Sequence, residues 1–115
     1  MQLRTDNIID ENSLIEKCAF LSAFKDSQIL KIYHLASHLD IKKDEILFDI
    51  NTNDKSGLFI LIDGQITFSK DNEGIVVKNI ISGDLFNEHS IFYESKRSYS
   101  AKATKDSYVL FVKQD

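Results

Sequence analysis

Proline is absent from this chain, cysteine occurs once, and arginine only twice, at Arg4 and Arg97 against twelve lysines. Each shortage excludes something. Without proline there is no stiff polyproline spacer between separate units. Cys18 alone cannot form an internal disulfide, which fits a reducing compartment. It also sits in the apolar run Cys18-Ala19-Phe20-Leu21, so it reads as a buried, inert thiol rather than a nucleophile. No apolar run approaches the roughly 20 residues of a membrane-spanning helix. Met1-Gln2-Leu3-Arg4 does not lead into a signal-peptide core. A soluble, cytoplasmic chain with no membrane span is therefore expected. The formal net charge of −4 argues against a nucleic-acid surface, which needs clustered cations to displace counterions. One local cation aimed at a small anion remains compatible with it. A nucleophile elbow, a Gly-Lys-Ser or Gly-Lys-Thr phosphate loop and a metal-binding cluster are also missing, so neither an enzyme nor a cofactor is expected.

What is present is enough apolar residue, 43% of 115, for one domain with a core and too little chain for two. Residues 1–19 read as a lead-in and short helix, and 20–115 as the domain itself. Asn12-Ser13 can cap the first helix, with Glu16 at the capping-box position. Asp26 or Ser27 can cap a second, in which Ile29, Ile32, Leu35, Ala36 and Leu39 recur at helical spacing up to Asp40. His34 and His38 then fall at i and i+4 on one helix, which is metal-ligand spacing. No third or fourth ligand accompanies them, so they read as surface or helix-end histidines. From Ile41 the pattern becomes that of strands. Gly57-Leu58-Phe59-Ile60-Leu61-Ile62 reads as a buried strand, and Asp63-Gly64 as a two-residue hairpin turn with positive φ. Ile60, Ile62, Ile66, Phe68, Val77 and Leu110 are expected in the core, with Leu58, Phe59 and Val109. Seven or eight short strands after a helical pair suit a small β-sandwich or barrel.

The most informative stretch lies between two strand-like runs: Gly83-Asp84-Leu85-Phe86-Asn87-Glu88-His89-Ser90, ending at Lys96-Arg97-Ser98. A carboxylate, Glu88, and a guanidinium, Arg97, stand near its two ends. That pair suits a ligand carrying both a hydroxyl and an anion, because Arg binds phosphate through a charge-assisted fork and an ionised Glu accepts a sugar hydroxyl. The plainer reading is a structural ion pair closing a loop.

The stretch resembles the phosphate-binding cassette of cyclic-nucleotide-binding domains. Lys43-Asp44-Glu45-Ile46-Leu47-Phe48 is similar to the family's Lys-Gly-Glu-x-Ile-Phe, and Leu58 to Ile66 to its Tyr-Ile-Ile-x-x-Gly-x-Val run. Ser82-Gly83-Asp84-Leu85-Phe86 is similar to its Gly-x-x-Phe approach to the cassette. The resemblance implies a mainly β fold with flanking helices: an eight-stranded jelly roll, cupin-like, with N-terminal helices and a short cassette helix. It implies cyclic GMP or cyclic AMP as ligand, bound by Asn87, Glu88, His89, Ser90, Arg97, Ser98 and Tyr99. Ser98 leans towards cyclic GMP. It implies a regulatory role over an attached effector domain or partner protein, with a C-terminal lid helix supplied beyond Asp115 or from elsewhere. Asn51, Asn53 and Asp54 stand where the loop after Phe48 is normally Gly-rich, and four residues in or beside the cassette also depart from the family pattern. Asn87 replaces Gly, His89 an aliphatic residue, Lys96 the frequent Pro, and Tyr99 the usual Ala beside the phosphate. Asn87, His89 and Tyr99 favour the alternative reading, a degenerate domain that has lost the nucleotide and acts as an interaction scaffold.

Overall fold

Two antiparallel sheets face each other across an apolar core, and helices cover the outer face of one of them. The computed structural model describes residues 2–48, 57–70, 76–86 and 99–113. Strand β1 (Gln2–Leu3) is followed by helix α1 (Glu11–Lys17), a 3-10 turn (Ala19–Ala23) and helix α2 (Asp26–Leu35). Strands β2 (Ser37–Ile41), β3 (Ile46–Phe48), β4 (Gly57–Asp63), β5 (Ile66–Lys70) and β6 (Val76–Ile80) come next. The last three are β7 (Leu85–Phe86), β8 (Tyr99–Ala103) and β9 (Ser107–Lys113). One sheet has the order β1-β2-β9-β4-β7 and the other β3-β8-β5-β6.

The apolar run of β4 has no polar face because both of its faces are covered. Phe59 and Leu61 point between the sheets, among Ile41, Ile66, Phe68, Ile80, Phe86 and Val109. Ile60 and Ile62 point the other way, against Leu14, Cys18, Leu21 and Ile29 from the helical layer. Alternation of side chains along a strand sends odd and even residues into two separate cores. The expected core holds at Ile60, Ile62, Ile66, Phe68, Val109 and Leu110, all at 1% exposure or less, and at Phe59. Leu58 is only half-buried, and the Val77 side chain lies outside the described residues. Burial pushes the Cys18 thiol up to about 11, which leaves it protonated and unreactive at neutral pH.

Four local expectations are corrected. Helix α1 is capped by Asp10, whose Oδ1 accepts the Ser13 N–H at 2.8 Å, rather than by Asn12 or Ser13. The residue before α2 is Lys25, whose N–H is taken by Gln28 Oε1 at 2.9 Å, so Asp26 and Ser27 are already inside the helix. Helix α2 ends at Leu35; Leu39 and His38 belong to β2, and the helical spacing of His34 and His38 is not realised. Propensity cannot show this, because Leu39 falls at helical spacing from the apolar residues of α2 whether or not the helix continues. Finally, Asp63-Gly64 is no hairpin. Strand β4 pairs with β7 and β9, β5 with β6 and β8, so the two residues carry the chain across from one sheet to the other.

The positive φ expected at this turn is found at Gly64, +107°, and not at Asp63. The crossing between β8 and β9 packs against it. Thr104 N–H donates to Gln65 O at 2.9 Å and Gln65 N–H to Ser107 Oγ at 3.2 Å. A second glycine is needed at Gly83, φ +93°, in the turn Ile81–Asp84 that a 3.0 Å bond from Asp84 N–H to Ile81 O closes. Glycine at the third position with positive φ is the mark of a type II turn. A Cβ at Gly83 would also collide with the Lys17 carbonyl at the end of α1. Gly83→Ala is therefore expected to destabilise the domain by about 1–3 kcal/mol, read as a lower urea midpoint at unchanged m-value.

Candidate functional site

Segment 87–98 leaves from one sheet and returns to the other, and the structure fixes the residues on either side of it. On the departing side, β7 pairs with β4 through Phe59↔Phe86 and Ile60↔Leu85. Leu61 N–H donates to Asp84 O at 3.0 Å, and Gly83 N–H to Leu61 O at 2.7 Å, so Gly83 to Phe86 run as an edge along β4. Phe86 is 2% exposed. Its ring stacks on Phe59 with centroids 5.2 Å apart at 14°, and meets Phe68 edge-on at 5.7 Å and 68°. Phe111 closes the cluster against Phe59 at 4.8 Å.

On the returning side, β8 pairs with β5 through Tyr99↔Lys70, Ser100↔Ser69 and Ala101↔Phe68. Ala101 and Ala103 are fully buried. Phe68 thus touches both sides: its ring contacts Phe86, and its backbone registers with Ala101. The two ends of segment 87–98 are pinned to one aromatic centre, which is what the apolar residues of the Gly-x-x-Phe approach accomplish physically.

Of the expected site residues, Asn87, Glu88, His89, Ser90, Arg97 and Ser98 lie outside the described residues. Tyr99 opens β8, and its side chain is likewise outside them. The expected cassette helix and Lys96 likewise fall outside the described residues. Among the described residues, a cavity of about 330 Å³ adjoins the departing side, lined by Lys17, Phe20, Ser82, Gly83, Asp84 and Leu85. Its charges are already engaged. Lys17 Nζ binds Asp63 Oδ1 at 2.6 Å, and Asp84 Oδ2 accepts the Ile81 N–H at 3.0 Å. A cation committed to a carboxylate is a poor anion receptor, so this cavity does not compete with segment 87–98. Lys17 also reaches the Ile62 carbonyl at 3.5 Å, tying the end of α1 to the end of β4. Sequence reading missed this tie, since nothing local signals a contact between residues so far apart along the chain.

The family model of the cyclic nucleotide-binding domain matches residues 38–115, from the second residue of β2 onward. The chain belongs to that family. No curated protein matches it, but solved structures do. The cAMP-bound PfPKA-R fragment 141–441 is 23% identical with a TM-score of 0.73, over 90% of this chain and 35% of that one. The second cyclic-nucleotide domain of PKAR bound to Sp-2Cl-cAMPS is 25% identical with a TM-score of 0.71, over 90% of this chain and 68% of that one. The sensor domain of the transcriptional regulator DNR from Pseudomonas aeruginosa is 12% identical with a TM-score of 0.70, over 90% of this chain and 74% of that one. This chain thus spans about a third of the PfPKA-R structure. The first two of these structures hold cAMP and Sp-2Cl-cAMPS, and the mainly β architecture with a few helices is that of the cyclic nucleotide-binding family.

The aromatic centre makes a test of the frame separable from a test of the ligand. Phe86→Ala should cost about 3–5 kcal/mol, because the cavity left between Phe59 and Phe68 cannot collapse against two strands. Phe86→Leu, nearer in volume, should cost less than about 1.5 kcal/mol. Urea unfolding of both variants checks the order and the size of the gap.

Proposed function

We propose that this domain is a cytoplasmic sensor that binds a cyclic nucleotide at segment 87–98 and passes its occupancy to an attached effector domain or a partner protein. The two sheets are read as the family's eight-stranded jelly roll, with residues 1–19 as the lead-in and 20–115 as the binding domain. The observation that carries the proposal is the match over residues 38–115, which runs across both strands that hold the segment. In this reading Arg97 forks onto the cyclic phosphate and Glu88 accepts the ribose 2′-hydroxyl. Asn87, His89, Ser90, Ser98 and Tyr99 line the same site with backbone or side-chain donors. The ligand is cyclic AMP or cyclic GMP, with Ser98 favouring the latter. The role is regulatory and not catalytic.

A thermal-shift titration with both nucleotides tests the reading, since ligand at a hundred times its dissociation constant stabilises by about 2.7 kcal/mol. Arg97→Ala should abolish binding, and Arg97→Lys should lose most of it, because Lys keeps the charge without the fork. Removing one partner of a buried charged pair costs about 2–5 kcal/mol, more than tenfold in affinity. Tyr99→Ala restores the residue usual beside the phosphate. If the phenol obstructs the site, this change creates or tightens binding measured by calorimetry. If neither wild type nor Tyr99→Ala binds while both stay folded, the sensor reading fails and the scaffold reading replaces it.

A further inference from the structure

The amino-terminal arm, residues 2–10, is held to the sheet by a chain of hydrogen bonds through three buried or half-buried rings. Strand β1 adds to the edge of β2 through Gln2↔Asp40 and Leu3↔Leu39, and Arg4 N–H donates to His38 O at 2.8 Å. Farther along the arm, Ile9 N–H donates to the Tyr108 hydroxyl at 3.1 Å, and Ile9 O accepts the Tyr33 hydroxyl at 2.8 Å. The Tyr108 hydroxyl lies 2.6 Å from His38 Nδ1. Four elements, the arm, α2, β2 and β9, therefore meet at one tyrosine oxygen and one imidazole.

Donor counting fixes the direction of this chain. A backbone N–H only donates, so Ile9 takes one lone pair of the Tyr108 oxygen. Arg4 has donors only, and its guanidinium rests over the Tyr108 ring, 3.9 Å from the centroid, so it offers the phenol proton no acceptor. Tyr108 is 4% exposed, so water is not at hand for its proton. That proton goes to His38 Nδ1, which must be an acceptor, leaving the imidazole neutral with its proton on Nε2.

The surroundings oppose a second proton. Arg4 supplies a cation from the arm, β9 supplies only the Tyr108 phenol, and α2 supplies Tyr33, whose ring meets His38 edge-on at 6.0 Å, with exposed His34 beyond it. Asp40, on β2 itself, is engaged by Arg4 Nε at 3.5 Å; Asp63 and Asp106, which line the same small pocket as Arg4 and Tyr108, are engaged by Lys17 Nζ and the Lys43 N–H. Burial first, and the Arg4 charge second, hold the His38 imidazole below its ordinary value.

We propose that the arm is a proton-released strap: protonation of His38 turns its Nδ1 from acceptor to donor, strands the Tyr108 proton, and frees residues 2–10 from the sheet edge. As pH falls, an unfolded or detached arm lets the imidazole take its proton first. The hold provided by neutral His38 is thus complete above about 6.5 and lost as pH drops towards the lower folded value.

Amide hydrogen exchange by NMR on the intact chain between pH 7.5 and 5, corrected for intrinsic rates, tests this. Protection at Arg4 and Ile9 should fall by about fivefold or more at the acid end, while Leu61, inside β4, keeps its protection. His38→Gln, whose amide oxygen accepts the Tyr108 proton but does not titrate, should remove the pH step. His34→Gln should leave it intact. Tyr108→Phe should give an Ile9 amide that is poorly protected at both ends of the range. A flat wild-type profile, a step that survives in His38→Gln or Tyr108→Phe, or Leu61 falling together with Ile9 overturns the proposal.

Discussion

The burial of β4 on both faces is the constraint from which the rest of the molecule is organised. A strand with one wet face can slip in register or fray at modest cost. One whose neighbours on each side and covers on each face are all occupied cannot. Phe59 and Leu61 need the second sheet, and Ile60 and Ile62 need the helices, so neither layer is optional. Burying each such side chain contributes about 1.5–3 kcal/mol. The same strand carries the departing side of segment 87–98 as an edge, because Gly83 to Phe86 bond to its backbone. Anything that moves the helical layer presses on β4, and through β4 on the residues that lead into 87–98. Gly83, where an added Cβ would meet the Lys17 carbonyl, is a second route from α1 to the same residues, and it bypasses β4.

Much of this was legible in the residues, and where it was not the cause is physical. The unbroken apolar run of β4 signals a strand covered twice, and the structure has it so. Alternating Ile66 and Phe68 give the facing strand. The Asp63-Gly64 pair was read as a hairpin because local turn chemistry reports positive φ, and Gly64 does have it. What local chemistry cannot report is the partner. The chain turns the same sharp corner whether it folds back on its own strand or crosses to another sheet, and here the crossing is set by Thr104, Gln65 and Ser107 from far along the chain. Leu39 failed for a related reason. Four helix-spaced apolar residues extended naturally to a fifth, yet β9 pairs the backbone of residues 37–41, and paired backbone outweighs weak helical preference. The candidate site rests on motif order alone, since Glu88 and Arg97 have no local signature that separates a ligand pair from a structural one.

The two arginines divide the molecule's cationic chemistry in a way that twelve lysines do not. Arg4 uses the width of its guanidinium: it stacks on Tyr108 and reaches Asp40, two contacts that a point charge could not make together. Lys17 does what lysine does well, a single short contact to Asp63 at a half-exposed position, worth at most about 1 kcal/mol. Where planar, multi-donor geometry matters, this sequence places arginine; where charge alone suffices, it places lysine. That division is why Arg97, the other arginine, weighs more in the functional reading than its neighbours Lys96, Lys102 and Lys105.

The family match begins at His38, whereas the strap that ends on His38 lies wholly before it. The matched region therefore holds the sandwich strands from the second residue of β2 onward, and the arm is an addition to it, held by a ring at the sheet edge. An addition of this kind must be held by few contacts, because it brings little apolar surface of its own: Leu3 is 66% exposed and Ile8 39%. Weak apolar burial shifts the hold onto hydrogen bonds, and hydrogen bonds to a titratable ring make it sensitive to protons. The same economy of burial that leaves β1 at two residues is what makes its attachment switchable, whereas β4, buried on every side, is not.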